Sequence, residues 1–139
     1  MRSFLLLSAI LLQTGTAPLP INENDWSDYL TFEEGEKTLD NTIFMGIREW
    51  ELPDGRRVDI LTTKVAYEVD WVKKWPEGVG QALGYAIATN KDPGLVLLIK
   101  KGEDEYFNAA LTVITDLRRR GYNFHFTVVN VENGKIWKL

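Results

Sequence analysis

The alternation of apolar and polar positions in residues 42–71 predicts three antiparallel strands. Residues 42–50, 56–61 and 65–71 suit strands, and the Pro and Gly between residues 52 and 55 supply the tight turn of a hairpin. Only three residues separate the second strand from the third, so pairing between sequential neighbours is the simplest arrangement.

Two amphipathic helices with a strand between them follow, and then a second hairpin. Pro76 fits the first turn of the first helix, and residues 95–99 are a continuous apolar run, typical of a central strand covered on both faces. Residues 124–131 and 135–139 form the hairpin around Asn133-Gly134. The apolar helical positions are Trp75, Val79, Ala82, Leu83, Ala86 and Ile87 in the first helix and Phe107, Ala110, Leu111, Ile114 and Leu117 in the second.

Three glycines interrupt the first helix, at Gly78, Gly80 and Gly84. Each costs roughly 1 kcal/mol relative to alanine in a helix interior. Their presence predicts that the helix backbone approaches the sheet closely.

Residues 1–17 resemble a secretory signal peptide, with a basic start at Arg2, an apolar run over residues 4–12 and small polar residues after it. The run is about half the length that spans a bilayer, so stable membrane insertion of the mature chain is not expected. We therefore expect export to the periplasm or secretion. A cytoplasmic location is the alternative if this segment is instead a buried helix.

Residues 18–41 are acidic and weakly patterned, with Trp26 and Leu30 among their few apolar anchors. Irregular chain or a short helix is expected there. The predicted organisation is thus a signal peptide at 1–17, an N-terminal acidic segment at 18–41 and one α/β domain at 42–139.

The composition removes several kinds of chemistry. The 139 residues include no Cys and one His, which excludes disulfide scaffolds, thiol nucleophiles, Cys-ligated metals and multi-histidine metal sites. Sixteen Lys and Arg against twenty Asp and Glu give a formal charge of −4, which argues against a generally basic nucleic-acid coat but allows a local basic patch. Any catalysis must therefore depend mainly on carboxylates and lysines.

Carboxylates are concentrated on the second and third predicted strands. Glu68 and Asp70 lie two apart on the third strand and share a face, and Asp59 can join them if the second strand pairs with the third. Converging acids repel one another unless protons or a cation neutralise them, and Mg²⁺ prefers such oxygen ligands. Glu49 and Glu51, on the first strand, could complete the cluster. The alternative is that these acids face solvent, with lysines as charge partners.

Lysines and an amide follow the acids directly. Lys73 and Lys74 lie at the corner between the third strand and the first helix, and Gln81 lies in that helix. A lysine there could orient or activate water, while Gln81 could position a phosphate or the lysine.

This run of residues resembles the PD-(D/E)xK nuclease-like superfamily, in particular small, uncharacterised members with a Glu-x-Asp variant motif. The elements that carry the resemblance lie in roughly residues 49–99: Asp59, then Glu68-Val69-Asp70, then Lys74-Trp75, then Gly80-Gln81 with Tyr85 on the same helix. The resemblance implies a restriction-endonuclease-like fold, in which helices flank a mixed central sheet, and metal-dependent phosphodiester hydrolysis.

The resemblance also implies roles for individual residues. Asp59 matches the metal-binding acid and Glu68 the acid of the Glu-x-Lys element, whose lysine is replaced here by Asp70. Lys74 is the preferred substitute lysine, with Lys73 second, and Asp70 is then a further metal ligand. The implied catalytic residues are Asp59, Glu68, Lys74 and Gln81, and the implied ligands of Mg²⁺ or Mn²⁺ are Asp59, Glu68, Asp70 and Glu51, with Glu49 as the rival of Glu51.

The implied function is therefore a Mg²⁺-dependent nuclease in which Lys74 stabilises the developing negative charge. DNA and RNA remain open as substrates, and a homodimer is allowed because a domain of this size has little surface for wrapping duplex DNA. Asp70 at the lysine position favours the alternative, a catalytically degenerate nuclease fold that serves as a binding or structural module.

Overall fold

A computed structural model describes residues 19–33 and 43–139, so the predicted signal peptide at residues 1–17 lies outside the described residues. The helices are α1 (Glu23–Leu30), α2 (Trp75–Thr89) and α3 (Asp104–Arg119), and a 3₁₀ turn spans Val72–Lys74. The strands are β1 (Thr31–Phe32), β2 (Phe44–Met45), β3 (Ile47–Glu51), β4 (Arg57–Leu61), β5 (Val65–Trp71), β6 (Asp92–Ile99), β7 (His125–Asn130) and β8 (Ile136–Lys138).

The main sheet has six strands in the order β3-β4-β5-β6-β7-β8. Strands β5, β6 and β7 are parallel to one another, because α2 and α3 carry the chain back between them, and the remaining neighbours are antiparallel. The predictions of a mixed α/β fold, of the first hairpin and its third strand, and of the central apolar strand are confirmed.

Helices cover both faces of this sheet. On one face, Trp26 and Leu30 of α1 are fully buried against strand residues that include Ile60 and Val96. On the other face, α2 and α3 pack against a second set of apolar side chains that includes Leu95. The short helix expected in residues 18–41 is therefore part of the core. None of the helices within the two described ranges is long and apolar enough to cross a membrane.

The predicted strand at residues 42–50 is divided in two at Gly46. Strand β2 pairs in parallel with β1, whereas β3 joins the main sheet beside β4. A Cβ atom at position 46 would lie 2.6 Å from the carbonyl oxygen of Leu61. Only glycine therefore fits where the chain passes from one sheet to the other.

The buried face of α2 is rotated from the predicted one. Ile87 is 83% exposed, and Tyr85 lies in the core instead. Gly78 explains the rotation, because a Cβ atom there would lie 2.9 Å from Cδ1 of Leu95, so the helix meets the sheet at this position. A Cβ atom at Gly80 would have no atom of the described residues within 4 Å, so the prediction of close approach is confirmed at Gly78 and wrong at Gly80.

Candidate functional site

The β4–β5 pairing stops where the predicted carboxylates begin. The two strands pair at Ile60 with Tyr67 and at Leu61 with Ala66, and the next step in this register would set Asp59 opposite Glu68. Beyond that point the backbone amide of Val69 donates a hydrogen bond of 2.7 Å to Oδ2 of Asp59. The Asp59 side chain thus accepts the hydrogen bond that a backbone carbonyl of the neighbouring strand would otherwise accept. The backbones of β4 and β5 are therefore no longer paired beside Asp59 and Glu68.

Glu68 is a buried carboxyl, only 6% exposed, on the face of the sheet that α2 covers. Burial raises its pKa far above the ordinary value, and a hydrogen bond with the Asp59 carboxyl and the charges of Asp59 and Asp70 raise it further, against an opposing hydrogen bond from Tyr85. Among the described residues, its buried Oε2 atom has no hydrogen-bond partner. Two carboxyls in contact share a proton, and a cation could take that proton's place.

Asp70 lies two residues further along β5 and is also buried. The backbone amide of Trp71 donates a 2.9 Å hydrogen bond to its Oδ1. Burial, followed by the charge of Glu23 and a hydrogen bond with it, raises the pKa of Asp70, while the Trp71 amide and the charge of Lys74 lower it. Asp70 therefore belongs to a second carboxyl pair at the end of the strand.

Glu23, which the sequence reasoning missed, comes from the first turn of α1. Its Oε2 atom is buried and finds no hydrogen-bond partner in the described part of the chain, although α1 lies mainly against the other face of the sheet. Glu23, Trp26 and Leu30 fall at helical spacing on one side of α1, so the pattern of the two apolar anchors could have indicated it. We call Glu23, Asp59, Glu68 and Asp70 the acidic cluster.

One stripe of α2 faces the acidic cluster. A Cβ atom at Gly78 would lie 3.6 Å from Cβ of Asp70, and Tyr85, two turns on, reaches Glu68. Burial and the charges of the neighbouring acids raise the pKa of the Tyr85 hydroxyl. Gln81 lies between Gly78 and Tyr85 on the same stripe and is exposed, so its amide is at the rim of the site.

The two candidate lysines point to different neighbours. Lys74 is exposed, and its charge acts on Asp70. Lys73 instead reaches α3, where its Nζ lies 3.8 Å from Oε2 of Glu103 and 6.0 Å from the ring centroid of Tyr106. The structure therefore brings Lys74, the preferred lysine, toward the acids and directs Lys73 away from them.

The two upstream acids also differ in placement. Burial and the charge of Asp59 raise the pKa of Glu49, which has a φ of 53° in β3. Glu51 is exposed and lies opposite Arg57 at the beginning of β4. Glu49 is exposed too, and the β3–β4 register, which runs unbroken past it, sets Glu49 opposite Asp59. Of the two, Glu49 has the interaction with Asp59.

The acids form pairs rather than one tight ligand set. Within residues 19–33 and 43–139, no group of three or more acidic or histidine side chains has the geometry to hold a metal ion. Mg²⁺ is commonly held by one or two protein carboxylates, with water and substrate phosphates supplying the other ligands. The touching carboxyls of Asp59 and Glu68, with the unpartnered Oε2 of Glu68, fit that requirement.

Comparisons with protein-family models, with curated proteins and with solved structures found no match. The function must therefore be inferred from the acidic cluster and its surroundings.

Proposed function

We propose that the protein is a metal-dependent phosphodiester hydrolase that acts on nucleic acid, with a restriction-endonuclease-like arrangement of its mixed sheet. The observation that carries the proposal is the buried pair of Asp59 and Glu68 at the opening between β4 and β5. Such a pair is costly for stability, because burial and mutual repulsion hold protons on it, and a divalent cation would relieve the cost.

Asp59 and Glu68 would hold Mg²⁺ or Mn²⁺, and Asp70 lies next along the strand. The metal would supply Lewis acidity toward a phosphoryl oxygen. Lys74 stands at the rim, where its ammonium group stabilises negative charge that develops on the phosphate, and Gln81 donates from the neighbouring turn of α2. Substrate phosphates then complete the ligand set that the carboxyls leave open.

A binding or structural module with the same fold is the second candidate. Asp70 stands at the position of the expected lysine, and its pKa is raised by burial and by Glu23. A chain that holds a metal without hydrolysing nucleic acid would have this arrangement too. Metal binding without cleavage distinguishes the module from the enzyme.

The first test is calorimetric titration of Mg²⁺ and Mn²⁺ into the wild-type chain and Asp59→Asn. We expect the substitution to weaken metal binding by roughly 10- to 100-fold, because it replaces one charged ligand with a neutral amide. Asp116→Asn, on the exposed surface of α3, is the matched control and should bind as the wild type does. Equal affinity in all three proteins would overturn the proposed metal site.

The lysines provide a second prediction about the reaction. We expect Lys74→Met to lower the rate of Mg²⁺-dependent cleavage of labelled DNA or RNA by on the order of 10²-fold, because it removes a charge beside the acidic cluster. Lys73→Met removes an equal charge that is directed to Glu103 and should change the rate by less than about threefold. The opposite order of the two variants would assign the reaction to Lys73.

A further inference from the structure

A cavity of about 250 Å³ opens at the carboxyl ends of β6 and β7. Phe107 of α3 and Trp137 of β8 contribute aromatic walls, and Val128 contributes to the floor. Lys101, Asp104 and Asn130 supply its polar groups. We call this space the aromatic cavity. Its volume suits one planar heterocycle. Because β8 is an edge strand, the cavity can be entered from solvent.

The aromatic cavity lies on the same face of the sheet as Glu68 and Asp70. Phe107 stacks on Phe126 with a ring-centroid distance of 6.1 Å, and Phe126 belongs to the apolar cluster under α2 and α3. Strands β5, β6 and β7 are adjacent and parallel, so their carboxyl ends line one edge. About two interstrand spacings, or roughly 10 Å, separate the end of β5 from the end of β7.

Two lysines follow the carboxyl end of β5, and two more follow the carboxyl end of β6. Lys73 and Lys74 come directly after β5, and Lys100 and Lys101 come directly after β6. All four are exposed, and Lys100 lies 5.0 Å from the ring centroid of Trp71. The charge of this edge is mixed, because Lys73 is paired with Glu103, and Asp104 and Glu132 lie beside Lys100 and Lys101. We call the other three exposed lysines, Lys74, Lys100 and Lys101, the lysine row, which lies between the acidic cluster and the aromatic cavity.

We propose that the aromatic cavity takes one base of a single-stranded nucleic acid, whose phosphates follow the lysine row toward the acidic cluster. This inference rests on the proposed function. A base within a duplex is stacked on both sides and cannot enter such a cavity, so an unpaired strand is the occupant. The aromatic walls stack on the base, as in other single-strand binding sites.

Polar groups of the cavity complement a base edge. Oδ1 of Asn130 accepts hydrogen bonds from the backbone amides of Glu132 and Asn133, which leaves Nδ2 as a donor toward the cavity. The Asp104 carboxylate is an acceptor for ring or amino N–H groups. A donor and an acceptor beside aromatic walls match the mixed hydrogen-bonding edge that every base presents.

The test is binding of a 5′-labelled oligothymidylate of about 12 nucleotides, within the usual range of single-strand sites, to the full chain in EDTA. We expect Trp137→Leu to weaken binding by about tenfold, as loss of one base stack does. Trp50→Leu, at the opposite edge of the sheet and 44% exposed, is the matched control and should leave binding unchanged. Equal loss in both variants, or in neither, would overturn the proposal.

If Trp137→Leu fails to fold, the salt dependence of binding tests the lysine row separately. Lys101→Ala should lower the slope of log affinity against log salt by about 0.7, the single-strand value for one phosphate contact. Lys64→Ala, at the amino end of β5, should not change the slope. Because binding is measured in EDTA, failure here is distinct from failure of the proposed function, which would appear as absence of Mg²⁺-dependent cleavage with binding intact. Equal slopes in the two lysine variants would also overturn the proposal.

Discussion

Glu68→Gln is expected to make the protein more stable at about pH 8 while removing nearly all of its metal-dependent cleavage. The amide keeps the size and one hydrogen-bonding oxygen of the carboxyl but has no charge to bury. We expect a gain of about 1–3 kcal/mol in the free energy of unfolding without metal at this pH, because the folded wild type must retain a proton that the unfolded chain releases, and a Tm higher by several degrees. Cleavage should fall on the order of 10²- to 10³-fold.

The pH dependence of this gain has a definite sign. Folding raises the pKa of Glu68 above 4.5, so at higher pH the unfolded chain releases a proton that the folded chain retains. Wild-type stability therefore falls as the pH rises above 4.5 toward the folded pKa, and the raised pKa of Asp70 acts in the same direction. Glutamine has no proton to lose. The two proteins should be equally stable near about pH 4 and diverge toward about pH 8.

Thermal unfolding with and without Mg²⁺ distinguishes the two effects of the substitution. At about pH 8, Mg²⁺ should raise the Tm of the wild type, because the cation binds the ionised carboxyls, and should leave the Tm of Glu68→Gln nearly unchanged. Glu77→Gln is the control, since Glu77 is exposed in the first turn of α2. A Glu68→Gln variant that is less stable than the wild type at every pH would contradict the description of this carboxyl as a strained, proton-holding group.

The sequence was sufficient for the parts of the site that depend on local periodicity. The two-residue period of β5 put Glu68 and Asp70 on one face, and the short connection from β4 put Asp59 beside them. The same local signals predicted the hairpin, the central strand β6 and both long helices. These features need only the geometry of one element, or of two elements joined by a tight turn.

The remaining features depend on contacts between elements that are distant in the chain. Glu23 reaches Asp70 only because α1 packs against the sheet through Trp26 and Leu30. The choice of Glu49 over Glu51 follows from the register of β3 against β4, which sets Glu49 opposite Asp59 and Glu51 opposite Arg57 and which the alternation within β3 alone does not fix. The aromatic cavity lies between α3 and β8. No pattern in the sequence indicates that side chains of these two elements line the same cavity.

Trp26 thus connects the core to the acidic cluster, and Trp26→Ala is expected to be the most destabilising of these substitutions. The side chain is fully buried and makes an edge-on contact with Tyr29 at a ring-centroid distance of 5.1 Å. Removing it should cost about 3–5 kcal/mol of unfolding free energy, with a fall in Tm of more than roughly 10 °C. Denaturant unfolding monitored by far-ultraviolet circular dichroism measures the cost.

Trp26→Phe and Trp50→Ala separate packing from other effects of losing a tryptophan. Within the described residues Nε1 of Trp26 is buried without a hydrogen-bond partner, so phenylalanine removes that unsatisfied donor and should cost less than half as much as alanine. Trp50 is 44% exposed on the edge strand β3, so Trp50→Ala should cost less than about 1 kcal/mol. Equal stability of Trp26→Ala and Trp50→Ala would mean that α1 is not held in the core. Glu23 would then have no fixed place beside Asp70.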